Sequence, residues 1–165
     1  MKRLILVSIL TILTMSFIPE KKATLYAPVN STVQNLIGEF DQIPEERKKA
    51  LKKLALFVES KVKAGEKAEL IFICTHNSRR SHISQIWAQT AAAYYGVPNV
   101  TCYSGGTEAT AFNPRAVKAM EETGFKMKKL SEGENPVYEV YFAENAAPVK
   151  AFSKKYDAEG NPDSN

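Results

Sequence analysis

Cysteine and histidine are scarce in this chain of 165 residues: only Cys74, Cys102, His76 and His82 occur. Two cysteines cannot build a disulfide scaffold or a cysteine-rich zinc site. Both histidines sit too close to Cys74 on a tight turn to complete a metal set with it, so neither a metal nor another cofactor is expected. Charge of one sign is lacking as well. The net charge is only +4, and lysines alternate with glutamates instead of forming a dense arginine-rich stripe with aromatics. Nucleic acid is therefore not an expected partner, whereas a mild positive field suits a small anion. No repeat or low-complexity tract occurs, and 44% apolar residues is ordinary for one domain with one core.

Long hydrophobic runs are missing except at the start. Lys2 and Arg3 precede an apolar run from Leu4 to Ile18, with no acid before Glu20. That run is short of the roughly twenty residues of a spanning helix and reads as a secretory leader over 1–18. Thr14-Met15-Ser16 stands where an A-x-A cleavage site is usual. The expectation is an exported chain, periplasmic or membrane-anchored, with membrane contact only through residues 1–18. An uncleaved anchor and a simple N-terminal strand are the alternatives, and a non-functional leader would leave the protein in the cytoplasm.

The rest of the chain alternates helix and strand signals. Residues 19–30 read as a linker, and Ser31 opens a short helix through Phe40. Pro44-Glu45-Glu46 starts the next, since proline fits a first turn and acids there complement the helix dipole. Leu51, Leu54, Ala55, Val58 and Val62 give it one apolar face before Gly65. These two helices form an N-terminal extension over 31–67. Glu69 to Ile73 then reads as a buried strand, because its four apolar residues run without alternation. Ile83, Ile86, Trp87, Thr90, Ala91 and Tyr94 give a helical stripe ending near Gly96. Val100 to Tyr103 is a second strand, and Asn113-Pro114 starts a helix that stops at Gly124. Strand, helix, strand, helix implies an α/β fold with a parallel sheet and flanking helices. Val137–Glu144 and Val149–Tyr156 suggest a C-terminal hairpin around residues 145–148.

The chemistry concentrates in Cys74-Thr75-His76-Asn77-Ser78-Arg79-Arg80-Ser81. A cysteine between a strand end and a helix start faces free backbone N–H groups and the positive end of the helix dipole. Such surroundings lower a thiol pKa from about 8.5 into the range of roughly 3.5–7.5. Arg80 follows at a distance that lets the loop curl around one tetrahedral anion. Its planar donors bind phosphate-like oxygens in pairs and never lose their charge. Ser81 is placed to donate a hydrogen bond to the thiolate. Cys102 reads as a small buried side chain, with a resolving or disulfide role as the minor alternative. His82 reads as a first-turn residue near the anion and not as a catalyst.

A Cys-x5-Arg-Ser loop after an apolar strand resembles the low-molecular-weight protein tyrosine phosphatase superfamily, which includes related arsenate reductases. Ser104-Gly105-Gly106-Thr107-Glu108-Ala109 and Asn113-Pro114-Arg115-Ala116-Val117 resemble the second strand and helix of the arsenate-reductase branch. The resemblance implies a flavodoxin-like strand order over a phosphatase-like domain at 68–165. It makes Cys74 the nucleophile, Arg80 the oxyanion clamp and Ser81 the residue that steadies the thiolate. Thr75, His76, Asn77, Ser78, Arg79 and Arg80 then surround the oxyanion, with Asn77 holding the shape of the loop. By the motif, Arg79 points away from the anion. Two substitutions depart from the family: His76 replaces a glycine and Arg79 replaces a frequent cysteine. The family's aspartate general acid is also not found. Asp157 and Asp163 lie in a polar tail and read as turn residues. Only two clear parallel strands precede the hairpin where the resemblance implies four, so the 68–165 domain is expected to be incomplete.

The resulting expectation is a cysteine-nucleophile phosphatase that forms a phosphocysteine from a phosphate ester, including a phosphotyrosine protein. The alternatives are an arsenate reductase whose resolving thiol is external or missing, and a module that binds phosphate or arsenate without turnover.

Overall fold

The computed structural model describes residues 22–163, so the expected leader at 1–18 lies outside the described residues. The anticipated α/β alternation is present as β1 (Ala68–Cys74), α3 (Arg80–Tyr95), β2 (Val100–Gly106) and α4 (Pro114–Glu122), preceded by α1 (Ala27–Gly38) and α2 (Glu45–Lys63). β1 and β2 pair in parallel from Ala68 opposite Val100 to Cys74 opposite Gly106. Helix signals acted locally as expected. Gly96 ends α3 in the left-handed conformation at φ 67°. Asn113 caps α4 by accepting a hydrogen bond from Arg115 N–H at 3.0 Å.

α1 begins before Ser31. Pro28 occupies its first turn, as Pro44 precedes α2, and Val29 and Val33 are buried. The segment expected as a linker is tied down from Ala23 onward. Ala23 N–H donates to Ala93 C=O at 2.9 Å, and Tyr26 N–H to Phe142 C=O at 3.0 Å.

β1 also departs from its pattern. Of the run Glu69–Ile73 no residue is buried, and Ile73 is 49% exposed. The strand has a neighbour on one side only. Glu69, Ile71 and Ile73 turn their peptide groups to the other edge, where no strand pairs with them among the described residues. α2 does not cover the strand either, for none of its residues is buried and Leu51 and Leu54 stay largely exposed.

The C-terminal region forms a three-stranded antiparallel sheet of β3 (Lys126–Lys129), β4 (Tyr138–Tyr141) and β5 (Val149–Ala151), in that order. The hairpin around residues 145–148 is present but shorter than expected. β3 was not expected, because a Lys-Met-Lys-Lys run carries one apolar residue; Met127 packs opposite Val140. The core lies between this sheet, α1, α3 and α4, with Ile86, Phe112, Met120, Phe125, Val140 and Phe142 at its centre. Trp87 meets Phe125 edge-on at 5.1 Å.

After β5 the chain leaves the hairpin and runs along β2. Gly106 N–H donates to Lys154 C=O at 3.0 Å, and Tyr156 N–H to Gly106 C=O at 2.9 Å. Further down the same edge, side-chain amides take the place of a strand. Gln89 bonds Val100 C=O at 3.1 Å and Cys102 N–H at 2.9 Å, and Gln85 bonds Cys102 C=O at 2.9 Å. These side chains explain the polar inner face of α3, and they satisfy peptide groups that would otherwise lie unpaired in an edge strand.

Gln89→Ala should therefore destabilise the fold by about 1–2 kcal/mol, the cost of unsatisfied part-buried groups. Urea unfolding is the measurement, and its slope should not change. Gln89→Glu should fall between the two, because a carboxylate still accepts from Cys102 N–H but cannot donate to Val100 C=O.

Candidate oxyanion site at the end of β1

β1 ends at Cys74 and α3 begins at Arg80, so the five residues between them close a loop over the helix N-terminus. Asn77 sets its shape. It is completely buried and holds φ at 41°, a left-handed conformation that asparagine tolerates better than most residues. Its carbonyl oxygen Oδ1 accepts from Lys154 N–H at 2.8 Å, and its Nδ2 donates to Ser81 Oγ at 2.8 Å. Because Ser81 Oγ accepts there, its own proton is free for Cys74 Sγ, 3.1 Å away.

This arrangement acts on the thiol. Partial burial pushes the Cys74 pKa up, but the Ser81 hydroxyl and the backbone N–H groups of Ser81, Ser78 and Asn77 outweigh it and bring it down to about 7. Burial alone drives Cys102 the other way, up to about 12. Cys102 sits opposite Leu70, four strand positions from Cys74. At ~3.3 Å per residue that is about 13 Å, too far for a disulfide without rebuilding the sheet.

Cys74, Ser78, Arg79 and Arg80 line a pocket of about 130 Å³, closed on its other sides by His76, Thr110 and Asn113. Arg79 stands beside Arg80 in the pocket lining. Neither guanidinium has a carboxylate partner among the described residues, which leaves their donors available to an anion. Thr75 and Asn77, also expected around the oxyanion, stand outside the lining. The Thr75 C=O is held by Glu108 N–H at 2.8 Å, and the side chain of Asn77 is taken up by Ser81 and Lys154. His82 turns inward. It stacks on Phe112 at 4.2 Å, its Nδ1 lies 3.1 Å from Ser104 Oγ, and burial with the nearby Lys154 charge lowers its pKa to about 4.

The second sequence block braces the loop. Thr110 Oγ1 donates to His76 C=O at 3.1 Å, and Asn113 N–H to Ser78 C=O at 2.8 Å. Gly106 must be glycine here, for a Cβ would lie 2.6 Å from Asn77 N and 2.7 Å from Thr75 O. Thr110 and Asn113 were not foreseen in the site; Asn113 carried its helix-cap signal and a place in the second block, neither of which pointed to the pocket. Ser153 and Lys154 were not foreseen either. Ser153 Oγ donates to His76 C=O at 3.1 Å from 77 residues away, and no local pattern announces such a contact. Among the described residues no carboxylate lines the pocket, and Asp157 and Asp163 are exposed outside it.

Alkylation of Cys74 should rise with pH and level off above about 7, as thiol becomes thiolate. Cys102 should stay unreactive across that range. Ser81→Ala removes the hydroxyl donor, so the midpoint should move upward. Phosphate or vanadate should slow Cys74 labelling; iodoacetamide labelling followed by peptide mass spectrometry measures all of these.

Residues 69–137 match the family model described as low molecular weight phosphotyrosine protein phosphatase. Among curated proteins, arsenate reductase from Bacillus subtilis is 46% identical over 55 residues, covering 33% of this chain and 37% of that protein. Arsenate reductase from Staphylococcus aureus is 40% identical over 58 residues, covering 35% and 41%. Arsenate reductase 2 from Staphylococcus haemolyticus is 39% identical over 59 residues, covering 36% and 42%. The chain thus spans about two fifths of the length of the curated relatives it matches. No solved structure matches it. With the Cys74–Arg80 loop at the head of the matched segment, residues 69–137 are similar to the low molecular weight phosphotyrosine protein phosphatase family and to the arsenate reductases related to it.

Proposed function

We propose that this protein is a cysteine-nucleophile phosphatase acting on phosphate monoesters. The observation that carries the reading is the Cys74 thiol, held 3.1 Å from the Ser81 hydroxyl at the mouth of a pocket that it shares with Arg80. In that reading the thiolate attacks phosphorus in line, an S–P bond forms as the ester P–O bond breaks, and water then hydrolyses the phosphocysteine. Backbone N–H groups and the guanidinium bind the equatorial oxygens where charge gathers. The pocket suits a tetrahedral oxyanion, with the organic part of the ester projecting outward.

Arsenate reduction is the second reading, favoured by the names of the relatives. It needs a thiol to resolve the cysteine–arsenic adduct, and Cys102 is deeply buried about 13 Å along the sheet. An external thiol would have to serve. If residues 1–18 direct export, as we also propose, hydrolysis is the better supported of the two, because small reducing thiols belong to the cytosol. Binding without turnover is the remaining reading, and it is supported by the lack of a carboxylate in the pocket lining among the described residues.

Parallel assays with an aryl phosphate and with arsenate plus thiol separate the three readings. We expect phosphate release, no thiol oxidation with arsenate, and loss of phosphate release in Cys74→Ser. Arg80→Lys keeps the charge but loses the paired donors. It should weaken vanadate binding about tenfold or more, as expected for a hydrogen bond to a charged group. Anion protection without any turnover would leave only the binding reading.

A further inference from the structure

The proposed hydrolysis needs a proton at the leaving oxygen, and the pocket offers few groups that could supply it. Arg79 and Arg80 do not release protons near neutral pH, and the hydroxyls of Ser78 and Thr110 and the amide of Asn113 do not titrate there. Cys74 is the nucleophile. That leaves His76, whose side-chain type exchanges protons in this range.

His76 is also held in place. Its carbonyl accepts from Thr110 Oγ1 and Ser153 Oγ, each at 3.1 Å, which fixes its peptide between two other segments. Its ring Nε2 lies 3.4 Å from Glu108 Oε2, across the loop between β2 and α4. The carboxylate lies against one ring nitrogen, and Nδ1 has no hydrogen-bond partner among the described residues. Glu108 from that loop faces the ring, and Arg79 and Arg80 at the start of α3 and Cys74 from β1 line the same pocket as His76.

We infer that His76, oriented by Glu108, is the proton-transfer residue of this site, in place of an aspartate. The inference rests on the phosphatase reading. In the first half-reaction the Cys74 S–P bond forms and the ester P–O bond breaks. The leaving oxygen takes the proton from the His76 imidazolium, so the alcohol departs neutral and the ring is left neutral. In the second, the neutral ring takes a proton from water as the water oxygen bonds phosphorus and the S–P bond breaks. This returns the thiolate, the imidazolium and inorganic phosphate. Glu108 is a positioning residue, acting through the ring.

The test compares phenyl phosphate, whose leaving group needs a proton, with 2,4-dinitrophenyl phosphate, whose leaving group does not. Rates are measured for the full chain and for His76→Ala, His76→Gln and Glu108→Gln, with phosphate protection of Cys74 as the check that each variant keeps its site. Both His76 variants should lose ~10²-fold in kcat/KM on phenyl phosphate, the scale of general acid catalysis, and lose far less kcat/KM on the dinitrophenyl ester, because kcat/KM reports only the first half-reaction. Their kcat on both esters should fall with the slower hydrolysis of the phosphocysteine. Glu108→Gln should show a smaller loss of the same selectivity. Equal losses of kcat/KM on both esters, or none, overturn the assignment and leave the phosphatase reading standing. An unsubstituted protein that is inert even toward the dinitrophenyl ester overturns the phosphatase reading itself, and the role of His76 falls with it.

Discussion

The two hydrogen bonds of the Asn77 side chain join parts of the molecule that the sequence keeps far apart. On one side Oδ1 takes the Lys154 peptide N–H from the segment that runs beside β2. On the other, Nδ2 fills an acceptor site of the Ser81 hydroxyl and so turns its proton toward Cys74. The state of the thiol therefore depends on where the C-terminal segment lies. With the asparagine completely buried, losing either partner would leave a polar group without compensation. The left-handed backbone at this residue is sustained by the same contacts.

The glycines of the second block belong to the same constraint. At Gly106 the backbone passes so close to Asn77 and Thr75 that a side chain has no room, and at Gly105 a Cβ would lie 2.4 Å from Tyr156 Cα. The oxyanion loop thus presses on one side of the β2 terminus and residues 154–156 on the other. A sequence feature that reads as a family signature is, in physical terms, the clearance needed for three backbone segments to converge. The polar inner face of α3 has a similar origin. Gln85 and Gln89 are inward because the edge of β2 needs partners, and an apolar helix face could not supply them.

The two sides of the parallel pair are consequently unlike. The β2 edge is occupied by amides and by the returning chain, whereas the β1 edge has no strand partner among the described residues, and its apolar side chains stay partly open. Leu70 to Ile73 has the composition of a strand covered on both faces, so the apolar run and its surroundings do not agree. α2 repeats the mismatch, with an apolar stripe in sequence and no buried residue in place.

The sequence by itself determined the elements whose signals are local. Pro44, Gly96 and Asn113 bound their helices, and Cys74, Ser81 and Arg80 come together because a strand end, a short loop and a helix start leave them little choice. Tertiary structure decided the rest. A lysine-rich strand at Lys126–Lys129 exists because β4 offers it a partner, and α1 starts early because Val29 finds a core to enter. Arg79 joined the pocket, Thr75 left it, and Ser153 and Lys154 came to brace it from 77 residues away. Propensity and periodicity act over a few residues, whereas burial and long-range hydrogen bonding depend on which segments meet, and that information is not carried in any one stretch of the chain.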